Sequence, residues 1–406
     1  MRRSYLWGFV LGSLLMAGCA VRGANAAEQK TPTEGGFQTW VSQFRAEAAN
    51  AGISPATIQT AFNGIRLNHD VMKRDAFQPE FVKPIWGYLE TAVSDLRVKN
   101  GRKKMKQHQA LLNEIAARYQ VPPQLITAIW GLETAYGITF GGFNVIEAMA
   151  TLGYHGRRSQ FGRTQLMAAL EIIDNGDIAA SQMQGSWAGG MGHTQFIPTS
   201  FQSRAVDYDN DGKRDIWNSL PDVFASTGNF MQRAGWQANE TWGAPVTLPE
   251  GFDWALADRA VKKSVAEWAA LGVKAKQGGA LPASSGEAWI LLPAGHRGPA
   301  FIALPNFRAI MRYNNSTAYA LGISLLADRI AGGAEQRFNW PTELTALTRD
   351  QRMELQRLLT EQGFDTGGVD GILGANSRKA LRAWQQTQGL VPDAFATVEQ
   401  LNLLRR

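Results

Sequence analysis

The chain carries one cysteine, Cys19. No disulfide can therefore form within it, and neither a Cys-rich zinc site nor an iron–sulfur cluster can hold its fold together. Stability has to come from buried apolar surface. With 45% hydrophobic and 19% charged residues, and 13 Trp, 8 Tyr and 19 Phe among 406 residues, the chain has the means. That composition excludes a disordered, collagenous or coiled-coil protein, and the length suggests two to three domains. Five histidines leave a His-based metal site open.

Cys19 falls at the end of an export leader. Arg2 and Arg3 precede an apolar run from Leu6 to Met16 and then small residues, the plan of a secretory signal over 1–26 that is too short to span a bilayer. Leu15-Met16-Ala17-Gly18-Cys19 resembles a bacterial lipobox, with Met16 where leucine is usual. Ala24-Asn25-Ala26 offers a rival A-x-A cleavage site. The first site implies lipidation of Cys19 and anchoring to the outer membrane, since Ala20 rather than Asp follows it; the second implies a soluble periplasmic protein.

Past the leader, Phe37–Ala49 and Pro55–Phe62 read as helices, the second opened by Ser54 with proline at its first position. The stretch RVKNGRKKMKQ places six basic residues in ten positions. It reads as a solvated helix face that helps hold an acidic polymer rather than as a nucleic-acid patch, because an exported protein rarely meets nucleic acid. Ala288–Pro293 and Pro299–Leu304 read as a β-hairpin, and helical patterning returns at Thr317–Ile330. A linker from Gly332 to Pro341 ends the large unit. Beyond it, Thr348 and Gln351 form a capping box, Leu355, Leu358 and Leu359 an apolar face, and Gly363 a C-cap. A second helix carries Ala380, Leu381 and Trp384, and a third covers Ala394–Leu404. Three short helices with eight charges of each sign suit a binding module. The net charge of +6 therefore lies upstream, where it fits an anionic polymer.

The segment PPQLITAIWGLETAYG carries the most chemistry. Ile126, Ile129, Trp130 and Glu133 recur at i, i+3, i+4 and i+7, so Glu133 extends an apolar stripe on a helix opened by Pro122-Pro123 and closed by Gly137. A carboxyl so placed is expected to have a raised pKa and to serve as a general acid. The same pattern fits a buried glutamate satisfied by a hydrogen bond or an arginine.

AIWGLETAYG, GSWAGGMGHTQFIPTSF about 50 residues later, and RYNNSTAYALGI further on resemble, in that order, the membrane-bound lytic murein transglycosylase B family. The likeness runs from about Gly35 to Ile330. GFDTGGVDGILGANSRKALRAWQQTQGL resembles the type 1 peptidoglycan-binding domain. The resemblance implies a mainly α (α+β) architecture: a lysozyme-like helical catalytic domain over 35–332 with a small β-hairpin insertion, and a three-helix wall-binding module over 343–404. It also implies non-hydrolytic cleavage of the MurNAc–GlcNAc bond of peptidoglycan, leaving 1,6-anhydromuramic ends in cell-wall turnover. Glu133 matches the single catalytic acid. Ser186 and Gln195 match residues beside it, Tyr313, Asn314 and Tyr319 match cleft-lining residues, and Arg157 and Arg158 match a pair facing substrate carboxylates. Phe230, after Asn229, departs from the pattern, which often has a cleft tyrosine there. A hydrolytic muramidase and a non-catalytic wall-binding scaffold are the alternatives. Envelope protein partners are not legible in the sequence.

One further motif concerns a cation. Asp207, Asp209, Asp211, Lys213 and Asp215 fall at positions 1, 3, 5, 7 and 9 of an EF-hand loop, with Gly212 at position 6 for the turn. Position 12 departs, with Asn218 in place of Glu, and Asp222 is the candidate substitute ligand. Oxygen donors without His or Cys favour Ca²⁺, in a structural and not a chemical role. An Asx-turn cluster without a cation is the other reading.

Overall fold

A computed structural model of the chain describes residues 32–76 and 84–406, so the leader and Cys19 lie outside the described residues. The described chain is mainly helical and divides into two compact units, residues up to 78 with 96–233, and 79–95 with 234–406. No described helix is long and apolar enough to cross a membrane.

The first unit holds α1 (Glu34–Asn50), α2 (Pro55–Ala61) and α3 (His69–Ala76). After α4 (Ile85–Ala92) of the second unit come α5 (Asp95–Gln107), α6 (Gln109–Tyr119), α7 (Pro123–Thr134), α8 (Val145–Tyr154), α9 (Ser159–Asp174), α10 (Pro198–Arg204) and α11 (Leu220–Arg233). Helix starts follow side-chain chemistry: Thr33, Ser54 and Asn144 accept N–H bonds from Gly36, Thr57 and Glu147, each such cap contributing about 1 kcal/mol. The basic run lies on α5, which buries only Val98 and Gly101 and leaves most of its cations to solvent. A two-stranded ladder, β1 (Phe143–Asn144) against β2 (Gln184–Gly185), ties the start of α8 to the glycine-rich segment.

In the second unit the expected hairpin is part of a four-stranded antiparallel sheet. Its strands are β3 (Gly243–Thr247), β4 (Lys274–Ala275), β5 (Trp289–Leu291) and β6 (Ala300–Ala303), in the order β4-β3-β6-β5. Ile290 pairs with Ile302, and Val246 with Ala300. Trp268 of α12 (Val265–Ala270), fully buried, closes one face of the sheet and donates its indole N–H to Ala288 O at 3.1 Å. Then follow α13 (Pro305–Tyr313) and α14 (Thr317–Ile330).

The segment read as a linker lies down on its own unit. The Phe338 ring is 5.2 Å from Phe301 and 5.9 Å from Trp340, and Trp340 is 6.3 Å from Trp86. The last three helices, α15 (Arg349–Glu361), α16 (Ala375–Thr387) and α17 (Val398–Leu404), enclose Leu355, Leu359, Leu381, Trp384 and Leu401. The third begins later than Ala394, because Ala394 has φ +58°, which no helix interior accepts. Gln385 and Asp393 hold that turn by accepting the N–H groups of Ala394 and Phe395, and Thr397 then caps α17.

Candidate active site

Glu133 is the penultimate residue of α7 and is 8% exposed. The helix stops abruptly after it: Ala135, Tyr136 and Gly137 have φ of +50°, +62° and +85°. Two successive non-glycine residues in the left-handed region cost on the order of 1 kcal/mol or more each and persist only where surrounding structure enforces them. Tyr136 supplies that enforcement by folding back over the helix. Its ring meets Trp130 edge-on at 5.7 Å and its hydroxyl donates to Arg97 O at 2.7 Å. Burial pushes its phenol pKa up, so it stays a neutral donor.

The glycine-rich motif forms the adjoining wall. Ser186 N–H donates to Gly190 O, and Gly190 N–H donates to Ser186 Oγ, both at 2.8 Å, closing a tight hairpin. A Cβ on Gly190 would lie 2.8 Å from Gln195 Oε1 and 3.0 Å from Ser186 Oγ, so Ser186 and Gln195 converge on one backbone position that only glycine fills. Gln195 itself has φ +51°, and its amide donates to Phe140 O at 3.1 Å and Gly192 O at 3.0 Å. Two of the expected site residues are thus brought together around one buried backbone position.

The link between this motif and α7 is His193, which the sequence reading did not single out. Trp130 Nε1–H donates to His193 Nδ1 at 2.8 Å, and Thr134 Oγ1 donates to His193 O at 3.4 Å. Trp130 and Thr134 flank Glu133 on the helix at i−3 and i+1, so His193, through its ring and its backbone carbonyl, clamps the turn that carries the acid. An indole nitrogen can only donate, so Nδ1 must be unprotonated and the proton resides on Nε2. Burial pushes the His193 pKa down to about 4, and Phe140 covers the ring edge-on at 4.6 Å. A histidine whose pKa falls from the usual 6.5 to about 4 on folding makes the unfolded chain the better proton acceptor between those values. Stability is therefore complete above about pH 6.5 and is lost as the pH falls toward 4. Thermal melts over this range should show the wild type losing melting temperature more steeply than His193→Asn, which keeps an acceptor and removes the titration.

Arg157 and Arg158 both reach Asp75, with nitrogen to Oδ1 distances of 3.5 and 3.8 Å. Arg158 also lies over Trp187, the neighbour of Ser186, at 5.7 Å. Arg157 keeps half of its side chain in solvent. Phe230 packs on Phe196 at 5.6 Å under Arg204, an apolar contact where a tyrosine would bring a hydroxyl.

Tyr313, Asn314 and Tyr319 belong to the second unit. Tyr313 ends α13 and Tyr319 sits in the first turn of α14, their rings parallel within 9° at 6.4 Å. The break between the helices explains how residues six apart come to stack. Asn314, 4% exposed, has a buried Oδ1 that meets no donor among the described residues, a cost of about 1–3 kcal/mol that a ligand's hydroxyl or amide N–H would remove.

In the acidic loop, one oxygen each from Asp207, Asp209 and Asp211 lie within 4.8 Å of one another. Asp207 Oδ2 accepts Gly212 N–H at 3.0 Å, while Asp207 Oδ1 is buried without a partner among the described residues. Lys213 donates its N–H to Asp211 at 2.8 Å, turning the chain at position 7. Asp215 is engaged otherwise, accepting the N–H groups of Trp217 and Asn218, both at 2.9 Å. Asp222 is fully buried and braces the loop from beneath, accepting Tyr208 N–H at 2.6 Å and Asp215 N–H at 2.7 Å. Burial pushes its carboxyl up to about 6 against those two bonds.

Residues 36–328 match the family model described as the transglycosylase SLT domain, and 348–404 match a peptidoglycan binding domain. Membrane-bound lytic murein transglycosylase B of Escherichia coli (strain K12) is 30% identical over 250 residues, 60% of this chain and 66% of that protein. The crystal structure of SltB3 from Pseudomonas aeruginosa, in complex with NAG-anhNAM-pentapeptide, superposes with a TM-score of 0.88 at 50% identity, covering 91% of this chain and 99% of that one. The lytic transglycosylase Slt35 of Escherichia coli, in complex with calcium, has a TM-score of 0.60 at 27% identity, covering 73% and 93%. With its helical fold, its small antiparallel sheet and a family model matched over most of its length, the chain belongs to the SLT transglycosylase family and carries a C-terminal peptidoglycan-binding domain.

Proposed function

We propose that this protein is a peptidoglycan lytic transglycosylase that cleaves the MurNAc–GlcNAc β-1,4 bond without water in cell-wall turnover. The observation that carries the reading is a nearly buried carboxyl, Glu133, at a forced helix end whose Trp130 and Thr134 are bonded to His193 of the motif loop that gathers Ser186 and Gln195. A protonated Glu133 gives its proton to the bridging oxygen, and the GlcNAc O4 leaves as an alcohol. The carboxylate so formed takes the proton of the muramic C6 hydroxyl, whose oxygen bonds to C1 and closes the 1,6-anhydro ring. The net exchange is one glycosidic bond for another, so a single carboxyl that cycles between acid and base suffices, whereas hydrolytic glycosidases use two. Ser186 and Gln195 orient the substrate, Tyr313, Asn314 and Tyr319 contact the glycan, and Arg157 and Arg158 meet carboxylates of the stem peptide. Incubation with purified sacculi should release soluble muropeptides; sacculi that bind the protein and stay intact would instead identify a wall-binding scaffold.

The envelope setting follows from the same reading. Residues 1–26 hold the export signal, whose cleavage before Cys19 leaves that residue to carry the lipid of an outer-membrane anchor; 35–332 form the catalytic domain and 343–404 the wall-binding module. The acidic loop fits a structural Ca²⁺: Asp207, Asp209 and Asp211 converge, and a buried oxygen of Asp207 has no partner among the described residues, a place a cation would fill. The carbonyl of Lys213 would add a ligand, and the ion would neutralise the mutual repulsion of the carboxylates. At a hundredfold excess over its dissociation constant a bound ion stabilises by about 2.7 kcal/mol. Chelator is therefore expected to lower the melting temperature by about 5 °C, restored by added Ca²⁺ but not by Mg²⁺.

A further inference from the structure

Three arginines, Arg259, Arg378 and Arg382, gather in the second unit about Asp258, and Arg308 lies near enough to Arg259 for their charges to interact. Arg378 and Arg382 project from the same face of α16, one turn apart. Arg382 is ion-paired with Asp258 and donates to Ala257 O at 3.1 Å. Arg259 follows Asp258 in the chain and donates to Asn315 Oδ1 at 3.3 Å. Arg308 of α13 lies over the Trp289 ring at 5.4 Å. Among the described residues, only Arg382 of the four is in a close ion pair, and the Asp258 it holds is shared electrostatically with Arg378. Arg259 and Arg378 keep accessible surface while their guanidinium groups sit among packed neighbours, and Arg308 and Arg382 are half-buried, so an anion can reach the cluster. Its members feel one another: partial burial and the charge of Arg308 lower the Arg259 pKa, while partial burial and the charges of Arg259 and Arg382 lower that of Arg378, against the pull of Asp258. Gathering guanidinium groups beyond the charge available to neutralise them is unfavourable in the free protein, and a bound anion reverses the sign of that energy.

We propose that Arg259, Arg308 and Arg378, with Arg382 fixed on Asp258 as their support, form a second recognition site, which takes a carboxylate of the stem peptide on the glycan. The proposal rests on the wall-enzyme reading and extends it from the sugar to the peptide. Two observations favour a peptide carboxylate. Arg259 is bonded to Asn315, which adjoins the glycan-contact residues Tyr313 and Asn314, and Arg378 and Arg382 belong to the peptidoglycan-binding module. The acidic groups within reach of a glycan held by those two elements are those of its own peptide, and the planar guanidinium fork matches a carboxylate edge to edge.

The test uses the full chain carrying Glu133→Gln, so that binding is read without cleavage. Its probes are a disaccharide-pentapeptide with free carboxylates and the same compound with those groups converted to methylamides. Calorimetry should show the free-carboxylate form binding about tenfold more tightly, and Arg308→Gln with Arg378→Gln should abolish that preference while leaving the affinity for the amidated form unchanged. Circular dichroism checks that the double variant is folded; if it is not, Arg259→Gln alone must reduce the preference. Equal affinity for the two probes, or a preference that survives the substitutions, overturns the proposal. So does arginine-dependent binding to phosphatidylglycerol vesicles without discrimination between the probes, which would assign the cluster to a membrane surface. Wall cleavage by the wild type is measured separately, so failure here leaves the catalytic reading standing, and the reverse also holds.

Discussion

Glu133→Gln is expected to lower release of soluble muropeptides from sacculi by roughly 10³–10⁴-fold while leaving sacculus binding intact. The magnitude follows from the proposed double duty of this carboxyl: it supplies the proton that lets the GlcNAc oxygen leave and removes the proton that lets the C6 oxygen attack. An amide can do neither. The substitution is nearly isosteric at a position that is 8% exposed, and glutamine, unlike alanine, keeps the volume and a hydrogen-bonding end. The variant should therefore melt close to the wild type, which separates lost chemistry from lost structure. Wild-type-like release would remove Glu133 from the mechanism; equal loss of binding and cleavage would indicate that the site had collapsed.

The second large effect is expected at Gly192. It has φ +57°, and a Cβ there would sit 2.4 Å from Ile216 O, the atom that accepts the N–H of His193 at 2.9 Å. Gly192→Ala thus combines a left-handed alanine with a backbone clash that no rotamer relieves, a destabilisation of about 2–5 kcal/mol. The clash pushes on the bond that seats His193, and through His193 on Trp130 and Thr134 on either side of Glu133. A fall in melting temperature of about 5–15 °C together with a loss of turnover is predicted. An unchanged melting curve would mean that the motif loop is not held as described.

Much of the local structure that carries the candidate site was legible because its signals are local. Glu133 stands on an apolar stripe whose period is set by one helix, and Ser54 and Thr348 announce helix starts through bonds that span three residues. The short sheet was only half legible. Trp289-Ile290-Leu291 and Ala300–Ala303 read as strands, but β3 carries Gly243 and Pro245, which speak against a strand, and β4 is two residues long. β3 exists because β6 offers it a ladder, and β4 because β3 does, both long-range facts. The overextended third helix of the wall-binding module failed for a similar reason, since Gln385 and Asp393 hold Ala394 in a left-handed turn from outside that helix. His193 escaped notice because its meaning lies in a bond to Trp130, 63 residues earlier. The one local hint was its place between the glycines and Gln195 of the motif.

Cleavage without water is measured most directly by digesting sacculi with the wild-type protein in water enriched in the heavy oxygen isotope and weighing the muropeptides by mass spectrometry. The prediction is 1,6-anhydro products, lighter by one water than hydrolysed muropeptides and free of label at the muramic C1. Reducing ends that carry the heavy isotope would show that water is the nucleophile, and would make the protein a muramidase.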